Sequence, residues 1–302
     1  MSDYDLFIGK LNQHLSKYNI WGAGTYQNNG RVYPHIANID GREQEDVVRA
    51  IIESDGVPAD LYRKPHPCAH HMNSSQVVCY EFFRPMMTVD ANNYNFGYAG
   101  KRLVELVKET IGVSISEGAK CFFEYEDKDT RERFKTLSKD NPKGEKSQFY
   151  FFIEDGKTEI FFEIKYTEQS FGGWTRTKKT SQKSINNHCA YVEKGYKLML
   201  LNSPFITQDF KDEMLSIKDS EFSNPKISFN KYYQLFRNAL KADNTKYSIF
   251  IFPAANPGPQ KEFDDFNKYL VKDQNHIIIL YWECLTTYMS EAFCAKFIQG
   301  LK

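Results

Sequence analysis

The sequence predicts an α/β fold, a mixed β-sheet with helices packed on it. Three observations carry this. Two apolar runs, "SQFYFFI" and "TEIFFEIKY", flank "EDGK", the signature of a β-hairpin. Ahead of them, "YAGKRLVELVKETIG" places Leu103, Leu106 and Val107 on one helical stripe and stops at Gly112. Beyond the hairpin, helical and strand patterns alternate to the end of the sequence.

The elements follow in order. A short helix is expected over residues 3–17 and a clearer one over 42–54, ended by "DGVP". "RKPHPCAHHMN" reads as a loop, because Pro65 and Pro67 forbid regular structure. "SSQVVCYEFFRPM" is a helix capped by Ser74 or Ser75 that stops before Pro85. Otherwise the chain reads as irregular to about residue 97. This divides it into an N-terminal helical and irregular region, 1–97, packed on a core domain, 98–302. In the core domain "AKCFFEYED" is a strand, followed by the hairpin with an expected type I′ turn at Asp155-Gly156. Then come a helix over 228–242, a strand over 246–254, a helix over 261–272, a strand over 276–282 and a closing helix over 285–299.

Composition narrows the function classes. The chain has 302 residues, with 39 basic against 39 acidic side chains, so no global field draws it to nucleic acid or membrane, and any such contact needs a local patch. The N-terminal stretch "MSDYDLFIGK" has no signal-peptide pattern, and no apolar run reaches transmembrane length. Six cysteines without a CxxC pair read as free thiols, and the expectation is a cytoplasmic protein.

The second hairpin strand carries the chemistry. Strand side chains alternate, so Glu159, Phe161, Glu163 and Lys165 share one face. A strand buried on both faces is nearly all apolar, and a buried charge is costly unless paired or bound to metal. Acid-x-Lys also occurs at Glu126, Asp155 and Asp209, but only the Glu163 copy lies inside an apolar strand. An ion pair on an edge strand is the plain alternative.

A helix followed by three strands, with acid-x-Lys ending the third, resembles the PD-(D/E)XK nuclease superfamily. Four stretches, "MNSSQVVCYEFF", "FFEYE", "FFEIKYTEQSFG" and "YYQLFRNAL", resemble more specifically a bacterial family of restriction endonucleases within it. The resemblance implies a restriction-endonuclease-like core and a Mg²⁺ (or Mn²⁺) site. Glu163 and Glu124 would be metal ligands, and Lys165 would orient or deprotonate the attacking water. Phosphodiester hydrolysis suits such residues, since Mg²⁺ prefers carboxylate and water oxygens.

One position departs from that pattern. The resemblance places an aspartate ligand at position 150, where this chain has Tyr150. With a loop at Asp155-Gly156, Glu154 opposes Lys157, Tyr150 opposes Phe161 and Gln148 opposes Glu163, so Gln148 and Tyr150 share the face of Glu163 and Lys165. Glu154 lies too far along the hairpin to replace the aspartate, and Asp140 and Glu145 precede the strand. Either the nuclease is weakened or inactive, or the register differs.

"GGWTRTKKTSQKS" gathers Arg176, Lys178, Lys179 and Lys183 beside Trp174, and such a loop can grip phosphates or be plain solvated surface. Gln234 and Arg237 lie one turn apart and are expected to support the site. His66, Cys68, His70 and His71 lack a second ligand pair and read as incidental loop residues. The resulting expectation is a hydrolase of restriction or defence type: a Mg²⁺-dependent endodeoxyribonuclease acting on DNA, without membrane contact. Cutting both strands takes two active sites, so a homodimer is expected. The rivals are a catalytically silent nucleic-acid-binding protein on the same fold and a carbohydrate- or small-molecule-binding protein, the latter suggested only by the 15% aromatic content.

Overall fold

The structure is a computed structural model that describes residues 2–18, 27–28, 31–33, 35–36, 71, 73–90, 93–138, 144, 147–177 and 179–302. The helix expected over 42–54 and most of the His/Cys-rich loop lie outside these residues. The described strands are β1 (Gln27–Asn28), β2 (Arg31–Val32), β3 (Met87–Asp90), β4 (Asn93–Ala99), β5 (Lys120–Glu126), β6 (Gln148–Asp155), β7 (Thr158–Ile164), β8 (Lys246–Phe252) and β9 (Ile277–Tyr281). The α-helices are α1 (Asp3–Leu15), α2 (Ser75–Phe83), α3 (Lys101–Ile111), α4 (Lys128–Lys135), α5 (Gln182–Tyr191), α6 (Lys197–Asn202), α7 (Gln208–Ser216), α8 (Ser228–Lys231), α9 (Tyr233–Ala239), α10 (Pro257–Asn267) and α11 (Glu291–Phe293).

Strands β3 to β9 form one seven-stranded mixed sheet in sequence order. Neighbours are antiparallel from β3 to β7 and parallel from β7 to β9. Alternation sends Ile160, Phe162 and Ile164 of β7 into one core, with α1, α2, α3 and the C-terminal turns. Phe250 and Phe252 of β8 enter a second core with the helices between residues 191 and 270. The sheet is thus the middle of three layers, the α/β arrangement expected. Among the described residues, no helix is long and apolar enough to cross a membrane.

Several expectations need correction. The stretch before residue 97 is not irregular throughout: β3 and most of β4 precede residue 98, β3 pairs with β4, and β4 pairs with β5. Helix α3 accordingly starts at Lys101, after Gly100, because Tyr98 and Ala99 belong to β4. The helix expected over 228–242 breaks at Tyr232 (φ −112°, ψ 36°) into α8 and α9. The expected 261–272 helix begins at Pro257, where Asn256 caps Gly258 and proline fits the first helical turn. The closing helix is interrupted by extended Met289, and Ser290 then caps α11 by accepting from the Phe293 amide.

The hairpin turn also moves. Asp155 pairs with Thr158, so the two loop residues are Gly156 and Lys157. Gly156 carries positive φ and Lys157 does not, whereas a type I′ turn requires it at both positions. Glu154 therefore opposes Glu159 and Phe152 opposes Phe161, a register two residues away from the expected one.

Candidate active site

The β6–β7 ladder ends at the pair Phe151 and Phe162. Beyond it β6 stays with β5, through Phe149 on Tyr125 and Gln148 on Glu126, while β7 stays with β8, through Glu163 on Phe250 and Ile164 on Ile251. The strands part, and a cavity of ≈ 420 Å³ opens at the split. Its lining includes Glu124, Gln148, Tyr150, Glu163, Lys165, Gln234 and Arg237, all singled out from the sequence. The ladder ends before either Tyr150 or Gln148 could oppose Glu163, so the expected pairing of Gln148 with Glu163 does not form. All three line the cavity instead, and Tyr150 packs against the core of Phe151 and Phe162.

Glu163 and Lys165 are 4% and 6% exposed. Lys165 Nζ lies 2.8 Å from Glu163 Oε1, and Asn238 Nδ2 donates to Glu163 Oε2 at 3.0 Å. Lys165 also reaches Gln234 Oε1 at 3.4 Å, a long hydrogen bond. Burial pulls the Lys165 ammonium down, but the carboxylates of Glu163 and Glu168 outweigh it, and its pKa stands above the ordinary value. The pair thus favours the ammonium form of Lys165, which must give up a proton before it can accept one.

Glu124 reaches the cavity by a backbone inversion. Its φ is +51°, left-handed and unfavourable for a residue with a Cβ. The flanking pairs Phe123–Phe151 and Tyr125–Phe149 form, but Glu124 is left out of the ladder. The inversion resets the alternation, so that Phe122 and Tyr125, three apart, pack in the same cluster with Phe149, Phe152 and Phe161. Strain of this kind gathers at functional sites.

Tyr150 keeps its proton. Burial, and then the charges of Glu168, Glu163 and Glu124, push the phenol well above its ordinary value. It therefore offers a hydroxyl rather than an anionic oxygen. The Lys165 ammonium lies 5.8 Å from its ring centre.

The basic loop leaves the cavity by a fixed route. Gly172 accepts from the Gln234 amide (3.1 Å) and Trp174 donates to the Asn230 carbonyl (2.7 Å). Gly172 has φ +109°, and a Cβ there would meet the Gln234 side chain at 3.1 Å. One face of half-buried Trp174 is taken by His188, on which it stacks at 3.9 Å and 5°. Arg176, Lys179 and Lys183 are exposed, and Lys178 lies outside the described residues.

Sequence reading missed Glu168, Ser75, Gln76 and Asn238. Glu168 lines the cavity and accepts from Ser75 Oγ (2.6 Å), the Tyr166 amide (2.8 Å) and the Thr167 amide (3.1 Å), tying the start of α2 to the loop after β7. No periodicity marks a loop carboxylate. Asn238 follows Gln234 by four residues, and that spacing was its one available signal.

Two carboxylates of the cavity could hold a divalent cation. Glu124 and Glu163 bring hard oxygens to one polar cavity, and Mg²⁺ commonly takes one or two carboxylates with water and phosphate oxygen. Among the described residues no three His, Cys, Asp or Glu side chains gather as a metal-holding group, so protein ligands alone do not complete a coordination shell.

Neither the curated proteins nor the solved structures give a match. A family model, described as restriction endonuclease associating with ARP, matches residues 24–294, nine-tenths of the chain, and the chain belongs to that family.

Proposed function

We propose that this chain is a metal-dependent endodeoxyribonuclease of restriction or defence type, with a PD-(D/E)XK-like site. The observation that carries this reading is the buried Glu163–Lys165 pair at the split between β6 and β7, with Glu124 on the same cavity. Two buried charges on one strand face are expensive to keep for stability alone. Glu124 and Glu163 would hold Mg²⁺ or Mn²⁺, which when bound polarises a phosphodiester and acidifies water. Lys165 supplies positive charge where the phosphate becomes more negative and orients the attacking water. Gln234 holds Lys165, and Gln148 and Arg237 line the approach. Arg176, Lys178 and Lys179 on the loop would grip DNA with Lys183, which lies not on the loop as expected but in the first turn of α5, and a homodimer would supply one site per strand. The five described cysteines are free, in keeping with a cytoplasmic protein.

Tyr150 favours a second reading, a nucleic-acid-binding protein that keeps the fold without cutting. Plasmid nicking with Mg²⁺ or Mn²⁺, run beside DNA binding, tests both. Cutting by the chain and none by Glu163→Gln supports the enzyme. Binding without cutting under either cation refutes it in favour of the silent binder.

A further inference from the structure

We propose that Asn238 is the positioning residue for Glu163, an inference that rests on the metal-dependent reading above. Asn238 is 1% exposed on α9 and donates Nδ2 to Glu163 Oε2 at 3.0 Å. The amide orientation follows from the chemistry: turned over, its carbonyl oxygen would face a carboxylate. In this orientation Oδ1 is buried and has no hydrogen-bond partner. A buried unpaired acceptor is destabilising, and a leucine of similar volume would carry none. Packing therefore does not explain an amide at this place, whereas its donor to Glu163 does.

The support is rigid from behind. The Asn238 main-chain oxygen accepts from Ser248 Oγ at 2.7 Å, and Ser248 lies on β8, the strand that also pairs Glu163 with Phe250. With Oε2 held by Asn238, Glu163 turns Oε1 toward Lys165. The side chain is thus fixed before any cation arrives. Such outer-shell partners are commonly worth 10–100-fold in metal affinity.

The test is Mn²⁺ titration calorimetry on the full chain, with melting temperature in EDTA as the companion measurement. Asn238→Leu keeps the volume and removes the donor. Ser248→Ala removes the bond to the same residue's main chain but leaves the bond to Glu163. Asn238→Leu should bind Mn²⁺ 10–100-fold more weakly, and Ser248→Ala within about threefold of the parent. If Asn238→Leu does not fold, Asn238→Ala is read by the same criterion. A parent that binds Mn²⁺ and an Asn238 variant that melts lower but binds equally well overturns the positioning role and leaves the metal reading standing. A parent that binds no Mn²⁺ overturns both.

Discussion

The Lys165 ammonium lies 5.8 Å from the centre of the Tyr150 ring, on the side where it also meets Glu163. A cation over an aromatic face is attracted to it, and the same ring stands where the nuclease resemblance calls for a carboxylate. On the proposed reading, Tyr150 would thus steady the lysine while offering no carboxylate to a metal.

Tyr150→Asp should raise Mg²⁺-dependent nicking by tenfold or more. It adds a negative charge beside Glu163, so without metal the fold should lose on the order of 1–3 kcal/mol. Saturating Mg²⁺ at about a hundred times its Kd should return roughly 2.7 kcal/mol. Plasmid nicking and melting temperatures with and without Mg²⁺ check this. A variant that cuts no better and gains no Mg²⁺-dependent stability removes position 150 from the metal site.

Lys165→Met should abolish cutting, and it should not be silent for stability. It leaves the Glu163 carboxylate buried and unpaired, a loss of about 3–5 kcal/mol. The double variant Glu163→Gln with Lys165→Met should regain most of that stability and none of the activity. Denaturant unfolding of the three proteins measures it, and an equally unstable double variant would contradict the pairing.

Neutralising Arg176 and Lys179 together should weaken DNA binding and reduce the slope of log K against log salt by about 0.9 per lost phosphate contact on duplex DNA. Binding isotherms at several salt concentrations decide it. An unchanged slope would place the phosphate contacts elsewhere.

His188 predicts an acid-sensitive anchor for the basic loop. It is 4% exposed, stacked on Trp174, and bonded through Nε2 to Asn230 Oδ1 at 2.7 Å. Burial lowers its pKa from 6.5 to about 4, with the Asn230 bond opposing. As pH falls the unfolded chain takes the proton first, so the stability of the neutral ring is complete above about 6.5 and is lost as pH falls toward 4. The loss should reach roughly 2–3 kcal/mol. His188→Phe should flatten the curve by about that amount in urea unfolding between pH 7 and 4.5. His35 shifts in the same direction and remains in both proteins, so the difference between the two curves reports His188. Parallel curves would show that His188 does not titrate in this window.

How much was legible depends on the physics behind each residue. The Glu163–Lys165 face could be read because strand alternation is strict and two charges interrupt an apolar run. Within the paired part of the hairpin, parity survived a two-residue error in register, since a shift by two keeps a side chain on its face. Beyond it parity fails: Phe149 packs with Phe152, three residues away, and Tyr150 packs against the opposite core. Strands β3 and β4 escaped notice because "NYNFGYA" mixes polar residues and glycine with its aromatics, and only pairing to β5 makes it a strand. Asn238 and Glu168 escaped because the partners that set their roles, Glu163 and Ser75, lie 75 and 93 residues away, and the four-residue spacing of Asn238 from Gln234 was too weak a signal alone. The inversion at Glu124 was equally silent, since an ordinary glutamate carries no sign of positive φ.

The crossover that joins β7 to its parallel neighbour β8 runs through residues 165–245. Hairpin β6–β7 is local and can close early, but β7 gains its second neighbour only after this crossover has folded, and such distant pairings form slowly. During synthesis Glu163 and Lys165 therefore leave the ribosome well before Asn238 and β8, which hold them in place. A chain halted before residue 246 carries both charges of the candidate centre yet lacks the strand that buries them. On the proposed reading, a candidate centre that needs both the Asn238–Glu163 bond and β8 would be complete only after residue 246 has been synthesised.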